Sequence, residues 1–313
     1  TVVAQTTAST LGDGNDTVMV SGALGVGGSV NGGNGTDTIS TAVNLAAVDM
    51  SAMLLGFETL EFTGAGPISV DMAVNKLAIS DFVIGGTVAA AAIANVAANS
   101  VFTINNNGTT LTTDIGTNTL ADAVTVNLVS ATGTALNTAE IETLNIVSTK
   151  LAAEGAFTNT IAALGTNSEV STLNLSGSQA LTIGTAALKA GATVNASALT
   201  GNLTSTFRTA IGSYVGTGFV DTLSLAAGNL AQGNTFAGGA GLDVLNVTTS
   251  AAQNAGILAL TGFETVNITT DAVGGDAYTA DFRNVTDLTT LNLTSGNDAD
   301  TLVLNRLHGS NVV

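Results

Sequence analysis

Two stretches of this 313-residue chain place glycines and an aspartate in an order suited to holding a hard cation. Gly32-Gly33-Asn34-Gly35-Thr36-Asp37-Thr38-Ile39-Ser40 and Gly238-Gly239-Ala240-Gly241-Leu242-Asp243-Val244-Leu245-Asn246 both follow the nonapeptide G-G-x-G-x-D-x-U-x, U being a large apolar residue. Leu11-Gly12-Asp13-Gly14-Asn15-Asp16-Thr17-Val18-Met19 departs from it only at the first glycine. Gly216-Thr217-Gly218-Phe219-Val220-Asp221-Thr222-Leu223 and Ser295-Gly296-Asn297-Asp298-Ala299-Asp300-Thr301-Leu302 are degraded copies. The chemistry such a pattern serves is calcium coordination. Ca²⁺ takes about six to eight oxygens at roughly 2.3–2.6 Å. Glycine lets the backbone turn through positive φ and aim its carbonyls at a common point. The aspartate adds charge, and the apolar residue two places later starts a strand that ties the turn to a core.

The candidate ligands are therefore Gly12, Asp13, Gly14 and Asp16 in the first turn, and Gly32, Asn34, Gly35 and Asp37 in the second. Gly216, Gly218 and Asp221 face Gly238, Gly239, Gly241 and Asp243 further on, and Asp298 and Asp300 mark weaker positions. Asp16 and Asp37 are 21 residues apart and Asp221 and Asp243 are 22 apart, so each pair is expected to stack in adjacent coils around one ion. Gly-Asn-Gly and Gly-Asp-Gly also make ordinary hairpin turns. Two full matches, a near-full one and the coil-length spacing within each pair favour the cation.

Elements that could position such turns recur along the chain. Short alternating strands, such as Thr17-Val18-Met19-Val20, Leu60-Glu61-Phe62, Leu77-Ala78-Ile79, Val124-Thr125-Val126, Leu173-Asn174-Leu175 and Val266-Asn267-Ile268, follow one another at steps of about 21 residues. That step is too short for a strand–helix–strand crossover and suits one coil of a parallel solenoid, each strand pairing with those above and below. The expected fold is all-β, a parallel β-helix or β-roll of about thirteen coils. Gaps of 29 residues between landmarks, 144 to 173 and 194 to 223, leave room for loops or short helices, for which residues 151–164 and 183–190 are the candidates. The chain divides into a nonapeptide-bearing solenoid segment at 1–150, coils with insertions at 151–215 and a second nonapeptide-bearing segment at 216–313. An array of immunoglobulin-like sandwiches is the structural rival, since Thr/Val-rich strands with Gly turns suit it too.

A second phrase recurs: Gly56-Phe57-Glu58-Thr59-Leu60, Ile141-Glu142-Thr143-Leu144 and Gly262-Phe263-Glu264-Thr265-Val266. Its aromatic or Ile is expected to plug a corner. Its Glu is expected to be exposed or bonded to a turn, recurring as architecture and not as a catalytic pair.

Composition narrows the function classes. There are 23 acids against 6 bases, a formal net charge of −17, and the bases are scattered, so no patch exists to hold a phosphate backbone. A chain this acidic repels itself unless cations bind it. Cysteine is absent, which leaves metal instead of disulfides as a source of rigidity. The most apolar run, residues 88–98, is too short and too Ala-rich to span a bilayer, so no transmembrane insertion is expected. The first residues lack a signal-peptide pattern and an initiator Met, as expected of part of a longer polypeptide.

Enzyme signatures are missing. No H-E-x-x-H or G-x-S-x-G occurs, and His308 is the lone histidine. Asp13-Gly14-Asn15-Asp16 lacks the sixth-position Gly of an EF-hand loop. A β-helix polysaccharide lyase would need Tyr214, Tyr278, Arg208 or Arg283 beside carboxylates in a groove, and these four do not share one coil position. The expectation is a protein without catalytic residues.

The nonapeptides resemble those of RTX (repeats-in-toxin) proteins. More narrowly, residues 11–62 resemble the Caulobacter-type bacterial surface-layer proteins, which join a nonapeptide to a "GGSVNGG-G-TD" segment (residues 27–37) and a "GFETL" phrase (residues 56–60). The resemblance implies type I secretion and a place at the cell surface, outside a Gram-negative bacterium. It implies copies tiling into a two-dimensional lattice, with Ca²⁺ folding and joining them. The matching calcium positions are the Gly and Asp of the nonapeptides named above. Lipopolysaccharide would be held by a region outside this chain, and residues 305–313 carry no recognisable secretion signal. A calcium-binding surface adhesin or biofilm-matrix protein shares the same features and is the alternative.

Overall fold

The computed structural model describes residues 8–21, 28–45, 47–166, 169–226, 230, 233–249, 253–270, 277–296 and 300–307. The chain is a parallel β-solenoid of about 12 turns with a spacing of roughly 22 residues. It resolves into two compact units, Thr1–Asn145 and Ile146–Val313. The strand pairs within each are parallel, as a solenoid requires and an immunoglobulin sandwich forbids.

In the first unit one sheet stacks Thr17–Val20, Thr38–Thr41, Thr59–Phe62, Asp81–Ile84, Val101–Ile104 and Ala123–Val129 in sequence order. A second stacks Ile68–Asp71, Ala90–Val96, Thr110–Ile115 and Thr134–Thr138, so each of these coils contributes a strand to two faces. A third, short sheet joins Ser9–Asp13, Val30–Asn34 and Leu54–Leu55, and it carries the glycine turns. Burial alternates along the strands, as in Ala123–Val129, because successive side chains of a strand point to opposite faces. Register then aligns the buried ones into rows. Val18, Ile39, Leu60, Phe82, Phe102 and Val126 form one such row, each 5% exposed or less. Phe82 and Phe102 stack in it, their ring centroids 5.1 Å apart, which adds about 0.5–1.5 kcal/mol beyond the area buried.

The second unit repeats the plan. Thr172–Gly177, Ala192–Leu199, Ile211–Val215, Thr235–Ala237 and Ala259–Thr261 build one sheet. Thr158–Thr166, Ala180–Ala187, Leu203–Phe207, Thr222–Leu225, Val244–Thr249, Thr265–Thr270 and Thr290–Thr294 build the other. Leu223, Leu245, Val266 and Leu291 form an inner row. On the outer face Asn292 Nδ2 donates to Asn267 Oδ1 and Asn267 Nδ2 to Asn246 Oδ1, each at 2.7 Å, a ladder that reinforces the register.

Two sequence expectations are corrected here. Residues 151–164 and 183–190 are not helical insertions. Thr158–Thr166 and Ala180–Ala187 are strands paired with each other, and Leu181 and Ile183 are buried in strict alternation. Ala and Leu favour helix in isolation, but pairing to a neighbouring coil decides the outcome. The triplet Leu77-Ala78-Ile79 is not a strand either. Leu77 and Ile79 are buried and Ala78 is exposed in an irregular stretch, and the strand of that coil is Asp81–Ile84. The short α-helix of the first unit, Met72–Asn75, begins where Asp71 Oδ1 accepts from the Ala73 and Val74 amides. Among the described residues no helix is long and apolar enough to cross a membrane.

Candidate metal centre

The glycine turns fold as they do because the next coil comes too close for a side chain. Gly33 and Gly35 sit at φ 107° and 140°, and Gly239 and Gly241 at 113° and 136°, a region L-residues rarely enter. A Cβ at Gly33 would overlap the Gly12 carbonyl oxygen, and one at Gly239 the Thr217 carbonyl oxygen. Backbone oxygens of one turn thus point into the concavity of the next. Gly12 and Gly14 have the same positive φ, 118° and 115°, but open space around them. Gly218 also faces open space.

Carboxylates line up beside these turns in a ladder. The Asp16 amide donates to Asp37 Oδ1 at 2.7 Å, and the Asp37 amide donates to Glu58 Oε2 at 2.7 Å. In the second unit the Asp221 amide donates to Asp243 Oδ1 at 2.7 Å, and the Asp243 amide to Glu264 Oε2 at 2.7 Å. A third instance has the Asp122 amide donating to Glu142 Oε2 at 2.9 Å. Each acid holds the backbone of the acid one coil before it. Asp16 and Asp37 therefore lie on adjacent coils, as do Asp221 and Asp243. The Glu of the G-F-E-T phrase closes each ladder, while Phe57, Ile141 and Phe263 are buried beside it as corner plugs.

The remaining oxygens sort the acids into two kinds. Asp16 Oδ2, Asp37 Oδ2 and Asp243 Oδ2 are buried and accept no hydrogen bond. Asp37 and Asp243 are 0% exposed, so water does not offset the loss. A buried carboxylate oxygen without a donor carries a desolvation penalty of about 1–3 kcal/mol or more. Asp221 is different. Its Oδ2 accepts from the Thr217 amide at 2.5 Å, and its Oδ1 from the Thr217 hydroxyl and the Leu203 amide, each at 2.8 Å. Asp122 is satisfied likewise by the Thr119 amide and hydroxyl. Threonine in a degraded turn supplies the donors that an ion would otherwise replace.

The other candidates occupy supporting places. Asp13 is exposed and accepts from Asn34 Nδ2 at 2.7 Å across one coil step. Gly32, Gly216 and Gly238 are close-approach positions, where a Cβ would come within 3.0 Å of both a stacked carbonyl oxygen and an aspartate Oδ2. Asp300 is partly buried at the start of Thr301–Asn305, and Asp298 lies outside the described residues, as does His308. Among the described residues no three of His, Asp and Glu gather around one point. An ion here would take several of its oxygens from backbone, which is what stacked, inward-tilted carbonyls can provide. The residues present fit calcium on that ground: hard oxygen donors, carboxylates without partners and a cradle that only glycine leaves open.

Electrostatics follow from burial. The Asp221 carboxyl is pushed up from its ordinary value by desolvation. That of Asp243 is pushed up to about 6, first by desolvation, with the Asp221 and Glu264 charges adding to it against the Asp221 amide bond. The Tyr214 phenol is also raised, by burial and then by those two aspartates; Tyr278 is raised by burial. Both tyrosines are buried, and Arg283 is held by Asp281.

A pH dependence follows. A carboxyl whose folded value lies above its unfolded value favours the fold when protonated. In metal-free buffer the Asp243 contribution to stability therefore falls as pH rises from about 4 to about 6 and is level above that. Thermal unfolding followed by circular dichroism is expected to give a lower melting point at pH 7 than at pH 5. Asp243→Asn flattens that difference; an unaltered profile in the variant would contradict the assignment.

The chain matches no protein-family model, no curated protein and no solved structure, so its resemblance to a family rests on the motif residues alone.

Proposed function

We propose that this chain is a calcium-loaded structural solenoid of a bacterial surface layer, exported unfolded and assembled outside the cell into a lattice of its own copies. One observation carries the calcium part. In each unit a fully matched nonapeptide leaves a buried aspartate oxygen, Asp37 Oδ2 or Asp243 Oδ2, without a donor beside carbonyls of the neighbouring coil. A divalent cation converts that penalty into coordination. The surface-layer part rests on the motif order that residues 11–62 share with such proteins. The acidic surface supports both, since the charge of −17 needs counterions for copies to approach.

Mechanistically, scarce cytosolic calcium leaves Asp16 and Asp37 repelling and the turns unformed, which suits export. At millimolar calcium outside, these carboxylates and the stacked carbonyls would hold the ion, which would supply the missing positive charge. The carboxylates orient the ion, the glycines let carbonyls reach it, and the apolar rows fix the spacing between turns. Lipopolysaccharide would be engaged by sequence outside this chain.

Negative-stain electron microscopy of the purified chain with millimolar calcium tests the reading. Ordered sheets that disperse on chelation are expected. Isolated particles under every calcium condition would sink the lattice, and fibres or capture of a carbohydrate would move the assignment to an adhesin.

A further inference from the structure

The two units carry the same construction around the unpartnered oxygens, and it extends past the nonapeptide. Gly32, Asp37, Gly56 and Glu58 recur, at identical spacings, as Gly238, Asp243, Gly262 and Glu264. The backbone agrees position by position. Gly56 and Gly262 have φ 62° and 61°, matching the agreement already described for the preceding glycine pairs. In both copies the Asp Oδ1 holds the amide of the previous coil's Asp at 2.7 Å. In both, the Asp amide is held by the following coil's Glu Oε2 at 2.7 Å, across the same 21-residue step.

The free oxygen faces forward. A Cβ built at Gly32 would meet the Gly56 carbonyl oxygen and Asp37 Oδ2 together, and one at Gly238 would meet the Gly262 carbonyl oxygen and Asp243 Oδ2. At Gly32 and Gly238 the converging oxygens thus belong to the nonapeptide coil and to the G-F-E-T coil after it, whereas at Gly216 the Gly238 carbonyl meets Asp221 Oδ2. The earlier partner in the second unit, Asp221, has already used both its oxygens on protein donors. Glu58 and Glu264 spend Oε2 on the Asp amide, and among the described residues Oε1 has no donor.

We propose that Glu58 and Glu264 are cation ligands, each closing a divalent-metal site whose other oxygens come from Asp37 and Gly56, or from Asp243 and Gly262. This rests on the calcium reading above and relocates its sites. A side chain that only propped the Asp amide needs no more than one accepting oxygen. One that ligates must keep its charge, because a hard cation distinguishes carboxylate from amide.

Glu→Gln separates the two roles. Glutamine retains an oxygen to accept the Asp37 or Asp243 amide, so the coil bond survives while the charge is lost. Calorimetric titration of CaCl₂ into the metal-free full chain is compared for wild type, Glu58→Gln and Glu264→Gln. Each variant is expected to weaken one site about 10–100-fold and leave its twin at wild-type affinity, the twin reporting that the chain is still folded. Wild-type affinity at every site in both variants would overturn the ligand role while leaving calcium binding by the nonapeptides standing. Absence of binding by the wild type would overturn both.

Discussion

Chelating calcium is expected to lower the thermal midpoint of the chain by on the order of 10–30 °C, and Asp37→Asn with Asp243→Asn to remove most of that difference. An ion that binds the folded state alone stabilises it by RT ln(1 + [L]/Kd), about 3–4 kcal/mol when calcium stands a hundred to a thousand times above Kd. Two equivalent sites then supply about 5–8 kcal/mol, comparable with the whole net stability of an ordinary domain. Each kcal/mol moves the midpoint of a chain this long by about 2–4 °C. The effect is large because the metal-free site is costly in itself. Asp37 Oδ2 and Asp243 Oδ2 are buried with nothing to bond, so removing calcium leaves charge in place without a counterion. Asparagine deletes the charge and presents an N–H₂ to the neighbouring carbonyls, so the variant loses both the penalty and the gain. Circular dichroism melts in calcium and in chelator, for wild type and variant, measure all four states. Identical wild-type midpoints in the two buffers would end the proposal.

The coil step was legible because its signal is local. Triplets such as Leu60-Glu61-Phe62 and Val266-Asn267-Ile268 put large apolar residues two apart with a polar one between, and an inner row has to look like that. The other face of each coil was not legible. Ala90–Val96 and Ala180–Ala187 bury Ile93 and Val96, or Leu181 and Ile183, but set them among Ala and small polar residues that dilute the alternation. Their runs of Ala resemble helix, and only pairing with the coils on either side makes them strands. The second face also accounts for one long gap. Val194 pairs with Tyr214, while Leu223 belongs to the opposite sheet and pairs with Ser205, so the 29-residue step joins two faces and not two coils.

The candidate site was half legible. The nonapeptide names the aspartate and the glycines, since both residue types are needed at fixed offsets within one turn. It does not say which neighbouring coil faces the free oxygen. Glu58 and Glu264 looked like architecture because each lies 21 residues from the aspartate amide it holds, in a phrase with no turn glycine beyond Gly56 or Gly262. Thr217 carried the complementary signal. A hydroxyl inside a glycine turn marks an aspartate already satisfied by protein, as Asp221 is.

Alanine at three turn glycines is expected to give three different losses, and the order tests how the turns are held. Gly218→Ala should change stability by less than about 0.5 kcal/mol, because its φ is ordinary and a Cβ there meets nothing within 4 Å. Gly14→Ala meets no atom either but sits at φ 115°, so only the backbone penalty applies, about 1–2 kcal/mol. Gly239→Ala combines φ 113° with a Cβ that overlaps the Thr217 carbonyl oxygen. A carbonyl fixed between two coils cannot swing aside as a flexible side chain can, so the coils must separate. Strain and overpacking together put the loss at about 3–5 kcal/mol. Urea unfolding in chelator isolates the packing cost from the metal. If Gly239→Ala and Gly218→Ala unfold at the same denaturant concentration, the close stacking of glycine turns is not what holds these coils together.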